Sequence, residues 1–327
     1  MTGIITLIQA AIVFGTVIML GATGEILAEK SGSLNLGVPG IMYIGGISGL
    51  VGVFFYERGN ADPNGFACLV IAMSCAIAAS FLAGLLYSFL TITLRANQNV
   101  TGLTLTIFGS GIANFIGGSL NKLAGGVGQI SVAATSKVFK TSLPGVSDMG
   151  TIGKLLFSYG FMVYLAVILA IVVQWYIFKS RSGLALRAVG ENPGTADAAG
   201  INVTKYKYLA TSIGAAISGL GGLYYVMDYT KGTWANDGTI EALGWLALAL
   251  VIFATWKPAN TIWGSYLFGI LYWMYFYIGG LTRSSQELFK MLPYIVTILV
   301  LIFVSTKRRR ESQPPAALGL SYFREER

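Results

Sequence analysis

Three consecutive amides, Asn97, Gln98 and Asn99, break an otherwise apolar stretch in 95-RANQNVTG-102. Amide side chains donate and accept hydrogen bonds without carrying charge, so such a cluster suits a neutral polar ligand; a solvated turn would use the same residues. A second polar interruption, 24-GEILAEKSGSLNLGVPG-40, places Glu25, Glu29, Lys30 and Asn35 between two apolar runs. Glu25 and Glu29 are four apart and share a helix face. Gly32, Gly37, Pro39 and Gly40 disfavour a continuous helix there, and irregular backbone at membrane depth is tolerated only where protein or a watery cavity surrounds it. An ordinary short loop is the alternative reading. The chemistry that is absent is equally informative. The chain has no His, so neither a His-ligated metal nor a His general base is available. Cys68 and Cys75 share one face of one apolar run and read as small packing residues. The nearest approach to a phosphate-binding G-x-x-x-x-G-K-[ST] loop, Gly153-Lys154, has Asp148 at the first position and Leu155 after the Lys, so the chain binds no ATP in that way.

The elements that must position these residues are apolar. Of 327 residues, 54% are hydrophobic and 11% charged, against about 25% charged in soluble domains, and 42 more are Gly. Mean hydropathy is +0.68. These values exclude a soluble enzyme, a nucleic-acid binder and a disordered scaffold, and they predict an all-α, polytopic membrane helical bundle. Nine runs are candidate spans: Ile4–Leu27, Val38–Tyr56, Phe66–Leu94, Leu103–Gly118, Phe157–Phe178, Tyr208–Met227, Ala242–Trp256, Ile262–Ile278 and Leu288–Ser305. At least one helix is expected to be broken, in the region of Asn35 to Gly40. The first 24 residues carry no Lys or Arg, so the N-terminus is read as a mature helix and not a signal peptide.

Alternating the loops puts 14 of the 22 basic residues on the side of the C-terminus. By the positive-inside rule the C-terminus is then cytoplasmic and, with nine spans, the N-terminus outside. The net charge of +8 is largely this topology signal. The chain divides into one membrane domain, 1–306, and a cytoplasmic basic tail, 307–327. Within the domain, 179–207 is cytoplasmic and 119–153 forms an external loop. Ribbons of small residues, Ala72/Ala76/Ser80/Gly84, Gly109/Ala113/Gly117 and Ala210/Gly214/Ser218/Gly222, predict close helix packing. Within 179–207, Asn192 is a good N-cap, Pro193 fits the first helical position and Gly200 the stop. So short a helix cannot persist alone in water. Its small face, Ala196, Ala198, Ala199 and Ile201, is expected to dock on a partner in preference to this chain.

The runs 25-EILAEKSGSLNLGVPGIM-42, 94-LRANQNVTGL-103, 183-GLALRAVGENPGTADAAGINVTKYKYLA-210 and 243-LGWLALALVIFATWKP-258 resemble the bacterial ABC-transporter permeases of the branched-chain amino acid, ribose and nucleoside import group. The likeness is greatest to the nucleoside or simple-sugar subfamily and covers roughly Ile4 to Ser305. The resemblance implies a multi-pass protein of the bacterial plasma membrane, a non-catalytic half of a pathway. A second permease chain, a paralogue, would complete it. Separate ATPase chains would hold ATP and Mg, and an external substrate-binding lipoprotein would deliver a nucleoside or sugar. The chain would bind no cofactor of its own and no nucleic acid. It also implies that the 192–200 helix, with Arg187, Glu191, Asn192, Pro193, Ala196, Asp197 and Ala199, contacts the ATPase. Asn35, Asn97, Gln98 and Asn99 are expected near the pathway. A branched-chain amino acid permease and a self-sufficient carrier or channel are the alternatives; the carrier would need intramembrane charge relays, and Glu25 is the one acid well placed.

Overall fold

Helix α1 (Thr2–Glu29) is the axis of the molecule. A computed structural model describes residues 2–123, 130–142, 153, 155, 157–278, 280, 282–307 and 313–323. After α1 come α2 (Val38–Gly59), α3 (Gly65–Ser88) and α4 (Gln98–Leu123). A short α5 (Ala133–Lys140) precedes α6 (Phe161–Lys179). Then follow α7 (Arg181–Glu191), α8 (Pro193–Ala198) and α9 (Val203–Tyr224). The chain ends with α10 (Thr239–Phe253), α11 (Pro258–Trp273), α12 (Arg283–Lys290) and α13 (Leu292–Lys307). Both α3 and α9 end in single π-helical turns, Phe89–Thr93 and Tyr225–Tyr229. Among the described residues no strand occurs, only an isolated Ser131–Thr233 bridge. In lipid every backbone N–H and C=O needs an internal partner, and a helix supplies it within one segment.

Among the described residues seven helices are long and apolar enough to cross a membrane: α1, α2, α3 with its π turn, α4, α6, α9 with its π turn, and 283–303 across α12 and α13. Two expected spans fall short. Ala242–Trp256 becomes the 15-residue α10, and Ile262–Ile278 becomes the 16-residue α11. Thr255 and Trp256, both with left-handed φ, turn the chain sharply between them, and Pro258 opens α11. Part of the expected 119–153 loop is helical, since α4 runs on to Leu123 and α5 lies within it; residues 124–129 and 143–152 lie outside the described residues.

Helix α1 packs against α9, α10, α11 and α6, and α2 against α3, α9, α4 and α10. The small-residue ribbons lie at these contacts. Ala72, Ala76 and Ser80 of α3 and Ala113 of α4 are fully buried. A Cβ added at Gly214 would collide with the Gly24 carbonyl, and one at Gly222 with the Met42 carbonyl. Close backbone approach replaces the hydrophobic drive that helices lack in lipid. Gly222→Ala should therefore cost about 1–3 kcal/mol through overpacking. It should lower the thermal unfolding midpoint in detergent, while Gly118→Ala, whose added Cβ meets open space, should not.

Candidate functional site

Between α1 and α2 the chain abandons helix for residues 30–37, yet all but Leu34 and Leu36 of these are buried. Its polar groups are taken up one by one. The Glu25 carboxylate accepts the Asn35 N–H at 2.9 Å, and the Asn35 side-chain oxygen accepts the Gly37 N–H at 2.9 Å. Leu34 donates its N–H to the Gln98 side chain at 2.7 Å, while its carbonyl accepts from the Tyr87 hydroxyl at 2.5 Å. Thr106 donates to the Leu36 carbonyl at 2.9 Å. Gly32 turns with φ +85°, which a side chain would resist. One turn below Glu25, the Glu29 carboxylate accepts the indole N–H of Trp256. The two acids on one face thus hold separate segments.

The 179–207 segment lies at the same end of the bundle. Asn192 caps α8 by accepting the Thr195 N–H at 3.0 Å, Pro193 follows, and Gly200 stands at φ +83°. A preceding helix, α7, has no counterpart in the sequence reading; its signal was Ser180, which accepts the Gly183 N–H at 2.9 Å as N-cap. Ala196 is only 3% exposed and packs with Val189 and Val203 of this chain. The expectation that the whole small face awaits a partner is corrected there: Ala196 faces inward, and Ala198 and Ala199 remain exposed.

Of the basic tail expected over 307–327, residues 313–323 lie across this end. Ala317 donates to the Gly190 carbonyl at 3.0 Å and Gly319 to the Gly32 carbonyl at 3.2 Å. The Leu320 carbonyl accepts from Gln98 at 3.4 Å and from Lys207 at 3.5 Å. Tyr322 donates to Asp197 at 2.8 Å, Ala316 to Glu191 at 3.4 Å, and Arg95 lies 4.6 Å from the Phe323 ring centroid. The tail binds the broken helix, the start of α4 and the α7–α8 segment into one body. Its aromatic and apolar residues, Leu320, Tyr322 and Phe323, were the available signal.

Two clefts open beside it. One of 690 Å³ sets Lys30, Arg187 and Lys257 against a single carboxylate, Glu191. The other, 800 Å³, sets Arg95, Lys205 and Lys207 against Asp197. Both are net cationic. Arg187 lies over Phe178, 5.3 Å from its centroid. Burial pushes the Lys30 ammonium down to about 8; the Glu191 carboxylate opposes this and Arg187 adds to it.

Of the four amides expected near a pathway, the structure joins two. Asn35 and Gln98 are buried and both serve the broken helix. Asn97 is exposed and caps α4 through the Val100 N–H at 3.1 Å, and Asn99 is exposed. Tyr87, Thr106 and Trp256 complete the site and escaped the sequence reading, since each sits in an apolar run far along the chain.

Among the described residues, a helical bundle with seven apolar spans and a buried broken helix defines a multi-pass membrane protein. Residues 7–301 match the family described as "Branched-chain amino acid transport system / permease component", and the chain belongs to that family. It is 32% identical to the guanosine ABC transporter permease NupQ of Bacillus subtilis, over 98% of this chain and 97% of that protein. It is 30% identical to the nucleoside ABC transporter permease NupC of Lactococcus lactis, over 96% and 95%. A candidate glucose ABC transporter permease, TsgC13 of Haloferax volcanii, is 30% identical over 98% of both chains. No solved structure gives a significant match.

Lys30 also gives a pH signature. Its folded value near 8 lies below the unfolded value of about 10.4. Between these values the unfolded chain binds more protons, so stability should rise with pH. Thermal midpoints in detergent from pH 7 to 10 should show this rise, and Lys30→Met should reduce it.

Proposed function

We propose that this chain is the membrane-spanning permease subunit of an ATP-driven importer of nucleosides or simple sugars. The observation that carries the reading is near full-length similarity to permeases named for guanosine, nucleoside and glucose transport. The chain itself hydrolyses no ATP in this reading; separate ATPase subunits do. A second permease subunit completes the pathway, and an external binding protein delivers the substrate. The seven long helices, with α10 and α11 as a shorter pair, cross the bacterial plasma membrane with the N-terminus outside and the tail inside.

In this arrangement α8 is the contact with the ATPase. Its exposed flank, Ala198 and Ala199, presents a small apolar surface, and the flanking clefts offer Lys30, Arg187, Lys205 and Lys257 to acidic side chains of the partner. Arg187, Glu191, Asn192, Pro193 and Asp197 shape and support this contact. Ala196 acts from the inner side, by fixing α8 to Val189 and Val203. Asn35 and Gln98 hold the broken helix beside the pathway, so that movement of α8 reaches it through the tail. Asn97 and Asn99 lie at the mouth of the same region, and no cofactor is bound by this chain.

Ala199→Arg tests the reading without disturbing the interior, because Ala199 is exposed. The variant should insert in the membrane normally. It should fail to co-purify with the ATPase, and both transport and substrate-stimulated ATP hydrolysis should be lost in proteoliposomes. Wild-type co-purification together with wild-type transport would remove α8 as the coupling element.

A further inference from the structure

At the opposite end of the bundle from the tail lies a cavity of 550 Å³. It is an open cleft bordered by α1, the end of α5, the approach to α6, the π turn of α9 and the end of α11. Asp228, on that π turn, lines it and is 8% exposed. Among the described residues Asp228 makes no hydrogen bond and no ion pair. A carboxylate with no protein donor that opens on a cavity is available to a ligand that brings donors. The Tyr159 hydroxyl and the Trp273 indole N–H, on two further lining residues, are sealed from solvent without partners, whereas the Asp228 carboxylate is the polar group open to the cavity. Single π turns inside α-helices are rare and cluster at functional sites; this one carries both Asp228 and Tyr229.

Two of the lining residues, Tyr229 and Trp273, are aromatic. Tyr229 and Trp273 stand with ring centroids 6.4 Å apart, and Phe14 backs both at 6.5 and 6.2 Å. Such rings accept the apolar face of a sugar or a base. The charge balance narrows the ligand further. Lys140 also lines the cavity, beyond ion-pair distance of Asp228. One cation and one anion leave the cavity neutral, which favours neither an ammonium nor a phosphate. A carboxylate that accepts two hydroxyl donors beside an aromatic face matches a vicinal diol.

We propose that this cavity binds the vicinal diol of a neutral sugar, either the ribose of a nucleoside or a free hexose. Asp228 accepts from the two hydroxyls, Gln9 and Ser158 supply further polar contacts, and Tyr229 and Trp273 carry the apolar face. The proposal deepens the importer reading and rests on it: in that reading the cavity lies at the outer end, where the substrate first meets this chain.

The test uses the assembled importer in nanodiscs without its binding protein. Ser158 lines the cavity. A Ser158→Cys chain with Cys68 and Cys75 replaced by Ala reports occupancy through the rate of thiol labelling. Uridine should slow labelling, 2′,3′-dideoxyuridine should not, and glucose in a parallel arm separates a hexose site from a nucleoside site. Asp228→Asn should raise the concentration needed for protection by about tenfold or more. Trp273→Leu, which removes the aromatic face, should raise it about fivefold. Equal protection by uridine and its dideoxy analogue, or unchanged protection in both variants, would overturn the site. If neither uridine nor glucose protects while the complete importer transports one of them, the site falls and the importer reading stands. If the complete importer transports neither, the importer reading falls, and protection that depends on the diol and on Asp228 would still uphold the site.

Discussion

Eight residues of irregular backbone, 30–37, are buried where water cannot reach most of their polar groups, and the rest of this end of the molecule is arranged to satisfy them. A helix would have met that need internally. With the helix broken, each N–H or C=O must find a partner from elsewhere. Glu25 answers for Asn35, Gln98 and Tyr87 for Leu34, Thr106 for Leu36, and the tail at Gly319 for Gly32. Four separate parts of the chain, α1, α3, α4 and the tail, therefore converge on one short segment. An unpaired buried amide or carbonyl costs about 1–3 kcal/mol, so loss of any one of these partners is felt by the whole turn.

The same constraint gives the segment a mechanical meaning in the proposed importer. Gly190 at the end of α7 and Gly32 in the broken helix pack so closely that a Cβ on Gly32 would lie 3.4 Å from the Gly190 Cα. The tail then donates to both carbonyls, through Ala317 and Gly319. Displacement of α8 by a partner cannot be absorbed locally, because Ala196, Val189 and Val203 tie α8 to α7 and α9. It must be passed to residues 30–37 or break the tail contacts. Small shifts in packed elements propagate because such packing has few alternative arrangements.

Local signals were legible in the sequence, and long-range ones were not. The Asn192 cap, Pro193 and Gly200 mark α8 because capping depends on residues within a few positions. The small-residue ribbons marked the helix contacts because a fixed spacing puts them on one face. Apolar runs marked the seven helices long enough to cross a membrane among the described residues, but run length misjudged α10 and α11, where apolar residues continue into a turn at Thr255 and Trp256. The docking of the tail was hidden because its partners are single backbone carbonyls and the side chains of Gln98, Asp197 and Lys207, more than a hundred residues away. For the same reason Asn35 and Gln98 could be chosen as polar and interior, while nothing in the run Asn97–Gln98–Asn99 tells that only the middle amide turns inward.

The three buried acids separate structural from available charge. Glu25 and Glu29 each hold an N–H donor, from Asn35 and from Trp256, and so are committed to backbone and side-chain closure. A carrier that couples transport to its own proton or ion movement needs intramembrane carboxylates free to change partners. Releasing Glu25 would leave the Asn35 N–H unpaired at the centre of the broken helix, so it is poorly suited to such a relay. Asp228 alone among the three lacks a donor among the described residues, and it faces a cavity in place of a backbone. One uncommitted acid beside one lysine makes a recognition site more readily than a relay. That division of roles agrees with a chain whose energy comes from partners bound at its other end.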